Sequence, residues 1–150
     1  MEELIIYSDG GSRGNPGPAA IGFVLQDKNG KTVYEGCHFL GLSTNNVAEY
    51  QALTAALKKA KELSAKKVSC FLDSELVVRQ LNGQYKIKDE KMRQSFLKLS
   101  SLIKEFEKIS FTAVPRDRNK RADELVNQSL DEQAAGTLKP EVSPYLTKLI

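Results

Sequence analysis

Four carboxylates in this chain occupy positions where a carboxylate needs a reason. Asp9 follows the apolar run Leu4-Ile5-Ile6-Tyr7, and Asp73 ends the run Val68-Ser69-Cys70-Phe71-Leu72. An ionised group at the end of a buried strand is costly unless it is paired or metal-bound. Glu49 lies among Val47, Ala48 and Tyr50, and Asp123 follows Arg121-Ala122 at the start of a helical pattern. Singly, each has an ordinary explanation, since an acid suits a helix N-terminus and a strand-end Asp caps a turn. Acids that meet at one sheet edge from separate elements are also what hard, oxygen-preferring divalent ions require. Two Mg²⁺ or Mn²⁺ ions held about 4 Å apart can activate a water on one side of a phosphorus and stabilise the leaving oxygen on the other. The chemistry so indicated is phosphodiester hydrolysis.

Other chemistries find less support. His38 is the only histidine and has no neighbouring cysteine, so a zinc centre is disfavoured and His38 is read as structural. Cys37 and Cys70 lack metal-ligand spacing and are read as two buried free thiols. The segment Asp9-Gly10-Gly11-Ser12-Arg13-Gly14-Asn15-Pro16-Gly17-Pro18 is a Gly/Pro loop whose backbone, at Gly10 and Gly11 above all, can approach a ligand closely. It lacks the lysine and Ser/Thr of a Walker loop and the GxGxxG spacing of a dinucleotide site.

The elements that must position these acids follow from periodicity. Residues 4–7 predict a buried strand that breaks at Asp9-Gly10-Gly11 into a turn, with Asp9 at its end. Ala19 to Gln26 alternates, Asn29-Gly30 signals a hairpin, and Thr32 to Leu40 reads as a third strand. From Asn46 the period changes: Val47, Tyr50, Leu53, Leu57, Ala60 and Leu63 share a helical face, with Thr44, Asn45 and Asn46 as capping candidates and Glu49 in the first turn. Lys67 to Leu72 is a fourth strand, followed by a short helix from Glu75 to Leu81. Lys91 to Glu107 is an amphipathic helix, Ile109 to Val114 a fifth strand, and Asn119 to Ala135 a last helix with Asp123 near its start. Strands interleaved with helices predict an α/β protein, and the early hairpins predict a mixed sheet, with sites outside the strand ends.

Composition bounds the reading. At 150 residues, 41% hydrophobic and 27% charged, the chain is expected to form one globular domain. No run is long enough to span a membrane and the start lacks a signal-peptide pattern, so a cytoplasmic monomer is expected. The net charge is only +3, but the basic residues gather at Lys58 to Lys67, at Lys86, Lys88, Lys91 and Arg93, and at Arg116, Arg118, Lys120 and Arg121. Each cluster alone is an ordinary solvated face. With the four acids set aside as metal ligands, however, 22 basic residues face 15 acidic ones, which favours a polyanionic partner.

Four ordered motifs then carry a resemblance: the strand followed by Asp9-Gly10-Gly11-Ser12 and Gly14-Asn15-Pro16-Gly17, Thr44-Asn45-Asn46 with Glu49, Leu72-Asp73-Ser74, and Asn119 with Ala122-Asp123. Over roughly Leu4 to Ala135 the chain resembles type 1 ribonuclease H, and most of all the compact archaeal and bacterial form without an added N-terminal hybrid-binding domain. The resemblance implies a five-stranded mixed sheet with helices on both faces. It also implies a catalytic domain over 1–136, with the tail 137–150 docked on it.

The activity it implies is endonucleolytic hydrolysis of the RNA strand of RNA/DNA hybrids, with Asp9, Glu49, Asp73 and Asp123 holding two Mg²⁺ or Mn²⁺ ions and leaving 3′-hydroxyl and 5′-phosphate ends. By the same match, Asn15, Asn45 and Asn46 approach the hybrid's minor groove, where 2′-hydroxyls distinguish RNA from DNA. Thr44 matches a residue that holds a phosphate of the DNA strand. The mobile histidine and tryptophan-bearing basic protrusion of the better-known bacterial form are missing. Arg116 stands in the histidine's place; it cannot shuttle a proton near neutrality, so its expected task is to hold a phosphate or help product leave. Glu75 and Arg79 stand where amides would be expected, and Tyr85, Lys86 and Lys88 could replace part of the protrusion. Three alternatives remain at this stage: a related nuclease acting on double-stranded RNA or DNA, a non-catalytic hybrid-binding module, and a structural calcium site.

Overall fold

A computed structural model describes residues 2–136. The chain runs β1 (Glu3–Ser12), β2 (Gly17–Gln26), β3 (Thr32–Ser43), α1 (Asn45–Glu62), β4 (Lys67–Leu72), α2 (Glu75–Leu81), α3 (Glu90–Ile103), β5 (Lys108–Ala113) and α4 (Lys120–Ala134), with a single 3₁₀ turn at Arg116–Arg118 before α4. The sheet order is β3-β2-β1-β4-β5. β1, β2 and β3 pair antiparallel, whereas β4 and β5 join as parallel neighbours, so the sheet is mixed as expected. The expected docking of the tail 137–150 lies outside the described residues.

Alternation divides the strands between two faces. Leu4 and Ile6 of β1, Ile21, Phe23 and Leu25 of β2, and Val68, Cys70 and Leu72 of β4 are buried in one core with α1. Ala48, Ala52, Ala55, Ala56 and Ala60 of α1 are all buried, and such small side chains let the helix lie close to the sheet. α3 packs on the outer side of α1, where Phe96 meets the edge of the Tyr50 ring. On the opposite sheet face a smaller cluster forms between Ala20, Val126 and Leu130, with Phe39 against it, which places α4 over β2 and β3. Helices therefore flank both faces.

Three boundaries differ from the sequence expectation for reasons of tertiary pairing or packing, and others move by only one or two residues. β1 does not break at Asp9-Gly10 but continues to Ser12, because β2 keeps pairing with it through Gly11↔Ala20 and Ser12↔Ala19. β3 passes Leu40 through a bulge, where the register shifts by one and Gly41 adopts a φ of 83°. α3 stops at Ile103, and Phe106 reaches the core from the turn that follows it.

Electrostatically, the lysines at the end of α1 are spoken for. Lys59 pairs with Glu62 and lies over the Tyr34 ring, Lys61 pairs with Glu105, and Lys66 with Glu107. Lys86, Lys88, Lys91 and Arg93 are exposed and form no ion pair among the described residues.

Candidate active site

β1 brings Asp9 to the point where the sheet opens. Pairing between β1 and β4 ends at Tyr7↔Phe71, two residues before Asp9, while β2 stays alongside at Gly22. Asp9 is thus inside a strand on one side and at a sheet opening on the other, and it is 8% exposed. Asp73 directly follows β4, as expected, and is half-buried. Glu49 lies just beyond the first turn of α1 rather than within it, since the helix starts at Asn45 behind the Thr44 cap. Asp123 is in the first turn of α4.

The closest contact is between α1 and β1. Glu49 Oε1 accepts a hydrogen bond from the Gly10 backbone N–H at 2.6 Å. A side chain at position 10 would run into the carbonyl group of Ala48, so Gly10 is required for α1 to lie this close. Gly11 is not required in the same way, because a Cβ there would meet Val126 and Asn45 only at ordinary contact distance.

Asp9, Glu49 and Asp73 each present a carboxylate oxygen, all within 4.8 Å of one another. Asp123 stands next to Asp9 but outside this trio, with its Oδ1 accepting from Arg116 Nη2 at 3.1 Å. Burial is the main reason Asp9 titrates at about 7; Glu49 beside it lowers that value, and the charges of Asp73 and Asp123 raise it. Burial, then Asp9, pushes Glu49 well above the ordinary carboxylate range. Burial raises Asp73 too, against the opposing pull of Arg116. Glu49 Oε2 is buried with no hydrogen-bond partner among the described residues. Three mutually repelling, desolvated carboxylates with an orphaned oxygen fit a divalent cation, and an all-oxygen donor set fits Mg²⁺ or Mn²⁺.

Of the other expected residues, all but Asn15 and Thr44 line the same place. An open depression of about 410 Å³ has the four acids on its floor and includes Gly10, Gly11, Asn45, Asn46 and Arg116. Asn45 Oδ1 accepts from both the backbone N–H and the hydroxyl of Ser12, and Asn15 Oδ1 accepts from Asn45 N–H. The Asn45 carbonyl thereby ties the end of β1 to α1 and the Asn15 carbonyl ties the 13–16 loop to it, and the NH₂ ends of both amides make no hydrogen bond within the described residues. Thr44 caps α1, its hydroxyl oxygen accepting from Val47 N–H, and belongs to a neighbouring hollow with Ser43, Gln51 and Lys91.

Sequence reasoning did not assign Ser12, Arg13, Ser74 or Asn127, all of which line the depression. Asn127 was detectable as the residue one helical turn after Asp123, whose carbonyl its amide engages. The pairing of Arg13 with Asp131 across the fold left no local signal.

Comparison with known proteins agrees with this geometry. Residues 7–129 match the family model described as Reverse transcriptase-like. Over 126 residues the chain is 44% identical to the Ribonuclease HI of Halobacterium salinarum, aligning 84% of this chain with 63% of that protein. It is 41% identical to the Bifunctional protein Rv2228c of Mycobacterium tuberculosis, of which it spans 36%. The chain therefore covers less than two-thirds of these relatives' length. The N-terminal RNase H domain of Rv2228c superposes with a TM-score of 0.87 at 37% identity, over 92% of this chain and all of that one. LC11-RNase H1 in complex with an RNA/DNA hybrid superposes at 0.84 and 43% identity, over 87% of this chain and 99% of that one. With the motifs, the sheet order, the carboxylate cluster and these likenesses in agreement, the chain belongs to the type 1 ribonuclease H family.

Proposed function

We propose that this protein is a ribonuclease H, cutting the RNA strand of RNA/DNA hybrids endonucleolytically with two divalent ions, and that residues 1–136 are its catalytic domain. The observation that carries the reading is the trio of buried Asp9 and Glu49 with half-buried Asp73, oxygens within 4.8 Å, in an open depression also lined by amides. Mg²⁺ or Mn²⁺ bound there supplies Lewis-acid charge for activating water and for offsetting the charge that develops on the leaving oxygen.

The chain's own groups do the remaining work. Asp9, Glu49 and Asp73 would provide a first set of ligands, and Asp123, which Arg116 holds at its Oδ1, would complete the set. Arg116 is largely exposed, and on leaving Asp123 it can hold a phosphate oxygen of the RNA strand. The NH₂ groups of Asn15 and Asn45, together with Asn46, can donate to 2′-hydroxyls and base edges in the groove. Thr44, with Lys91 beside it, suits a phosphate of the complementary DNA strand. The exposed lysines around Tyr85 extend that basic surface.

A reducing, cytoplasmic setting suits the two free cysteines, of which Cys70 is buried and Cys37 half-buried. No helix among the described residues is long and apolar enough to cross a membrane. Among the described residues, the exposed large apolar side chains Leu42, Leu76, Tyr85 and Leu97 sit on four separate segments, which fits a monomer.

The test is cleavage of one short labelled RNA/DNA hybrid, beside the same RNA as a single strand and as an RNA duplex, in Mg²⁺, Mn²⁺ and EDTA. Cutting confined to the hybrid and abolished by EDTA is expected, with Asp73→Asn lowering the rate about a thousandfold. Arg116→Ala should slow cleavage while leaving metal dependence in place. Equal cutting of the RNA duplex would replace hybrid specificity with a broader nuclease. Tight hybrid binding without cutting would identify a binding module instead.

A further inference from the structure

Asn119 occupies the N-cap position of α4, where an asparagine side chain ordinarily accepts from the second or third backbone N–H of the helix. Here it makes no such bond. The side chain, 1% exposed, turns away from its own helix, and Nδ2 donates to the Ser8 carbonyl at 2.8 Å. Ser8 is one residue beyond the last β1–β4 pair and immediately precedes Asp9. The backbone carbonyl of Asn119 meanwhile accepts from the Asp123 N–H at 3.1 Å. A single buried residue therefore holds the peptide group leading into Asp9 with its side chain and the amide of Asp123 with its main chain.

A second contact fixes the same joint. A Cβ at Gly22, the β2 residue paired with Asp9, would collide with the carbonyl of Ala122, so the first turn of α4 rests directly on the strand backbone beside Asp9. A helix seated this closely and left without its side-chain cap has given up local stability for a bond to β1. The benefit falls at the Asp9–Asp123 separation. Those two acids arrive from opposite ends of the chain, and no hydrogen-bonded ladder connects the elements that bear them.

We propose that Asn119 is a positioning residue for the carboxylate cluster, setting Asp123 against Asp9 through the Ser8 carbonyl so that the cluster binds divalent ions tightly. The inference rests on the reading of these acids as metal ligands. Groups that orient metal ligands without touching the ion commonly change affinity 10- to 100-fold when removed.

The experiment is calorimetric titration of the full-length protein with Mn²⁺ and with Mg²⁺, without substrate, paired with thermal melting in EDTA. Asn119→Ala removes the donor. Asn119→Leu keeps the approximate size but cannot donate, and provides a second reading should the alanine variant fold poorly. Leu99→Ala, in the α1–α3 core away from the acids, serves as a destabilised control. Both Asn119 variants are expected to bind Mn²⁺ at least about tenfold more weakly, while the control keeps wild-type affinity at a comparable loss of melting temperature. Wild-type affinity in the Asn119 variants, or an equal drop in Leu99→Ala, would reduce Asn119 to a structural residue and overturn the proposal. Failure of the wild-type protein to bind either ion would remove the metal-site reading itself, a result distinguishable from the others.

Discussion

Asp9→Asn should abolish hybrid cleavage and, in the same protein, raise the stability of the metal-free fold. Asp9 is almost fully buried beside Glu49, with Asp73 and Asp123 adding like charge, and its proton leaves only at about pH 7 rather than at the ordinary value of 3.8. Between those values the folded protein holds a proton that the unfolded chain has lost. The contribution of Asp9 to stability is therefore fully present below about pH 3.8 and lost as the pH rises through about 7. At pH 8 the displacement corresponds to a penalty on the order of 4 kcal/mol, of which a neutral amide recovers part. In EDTA at pH 8 the variant should melt roughly 3–10 °C above wild type, with the gap closing as the pH is lowered toward 4. Saturating Mg²⁺ should close it from the other side by stabilising only the wild type. Melting curves across pH, with and without metal, check each part; an Asp9→Asn protein that melts below wild type at pH 8 in EDTA would refute the account of a buried charge held at a cost. A bound ion would offset the cost of this buried charge, so on the proposed reading lower stability of the empty site would accompany activity.

The second large effect belongs to Gly10. Gly10→Ala places a methyl group into the Ala48 carbonyl and against the Glu49 amide, all backbone atoms of a helix wedged between the sheet and α3. Nothing flexible can yield, so α1 must move outward, breaking the bond from Gly10 N–H to Glu49 Oε1. The expected cost is roughly 3 kcal/mol. Cleavage measured well below the melting transition should also fall, through kcat, because Glu49 is displaced from Asp9 and Asp73. Gly11→Ala is the matched control, since a methyl group there meets only ordinary contacts, and it should change stability by less than about 1 kcal/mol. Equal denaturation midpoints for the two variants would show that α1 does not depend on the missing side chain at position 10.

Much of this was legible in the sequence because the chemistry and the folding pattern coincide at the same residues. Asp73 is visible because a carboxylate directly after Val68-Ser69-Cys70-Phe71-Leu72 can only sit at a strand end. Glu49 is visible because an acid on the buried face of a helix needs a partner. Local patterns fail where a distant partner decides. The Gly-Gly after Asp9 reads as a turn, yet β2 extends the ladder to Ser12. Phe106 fits the helical period of α3 but packs from the turn after it, so periodicity overran the helix end. The third strand reads as ending at Leu40, yet the chain only bulges there and stays paired with β2 to Ser43. At Asn119 the residue type correctly marks the helix start, while the hydrogen bond it makes spans 111 residues and has no local trace.

The strand order carries a consequence for the timing of activity. Parallel pairing of β1 with β4 joins segments more than sixty residues apart, and α4, bearing Asp123, is the last described element. Contacts of such sequence separation form late and slowly. On the ribosome, a chain that has emerged only as far as β5 already possesses Asp9, Glu49 and Asp73 but neither the fourth acid nor the helix that covers β2. On the proposed assignment of the four acids, such a nascent chain would lack a complete centre with which to cut nucleic acid near its own site of synthesis, and competence would be conferred only when α4 closes over the sheet.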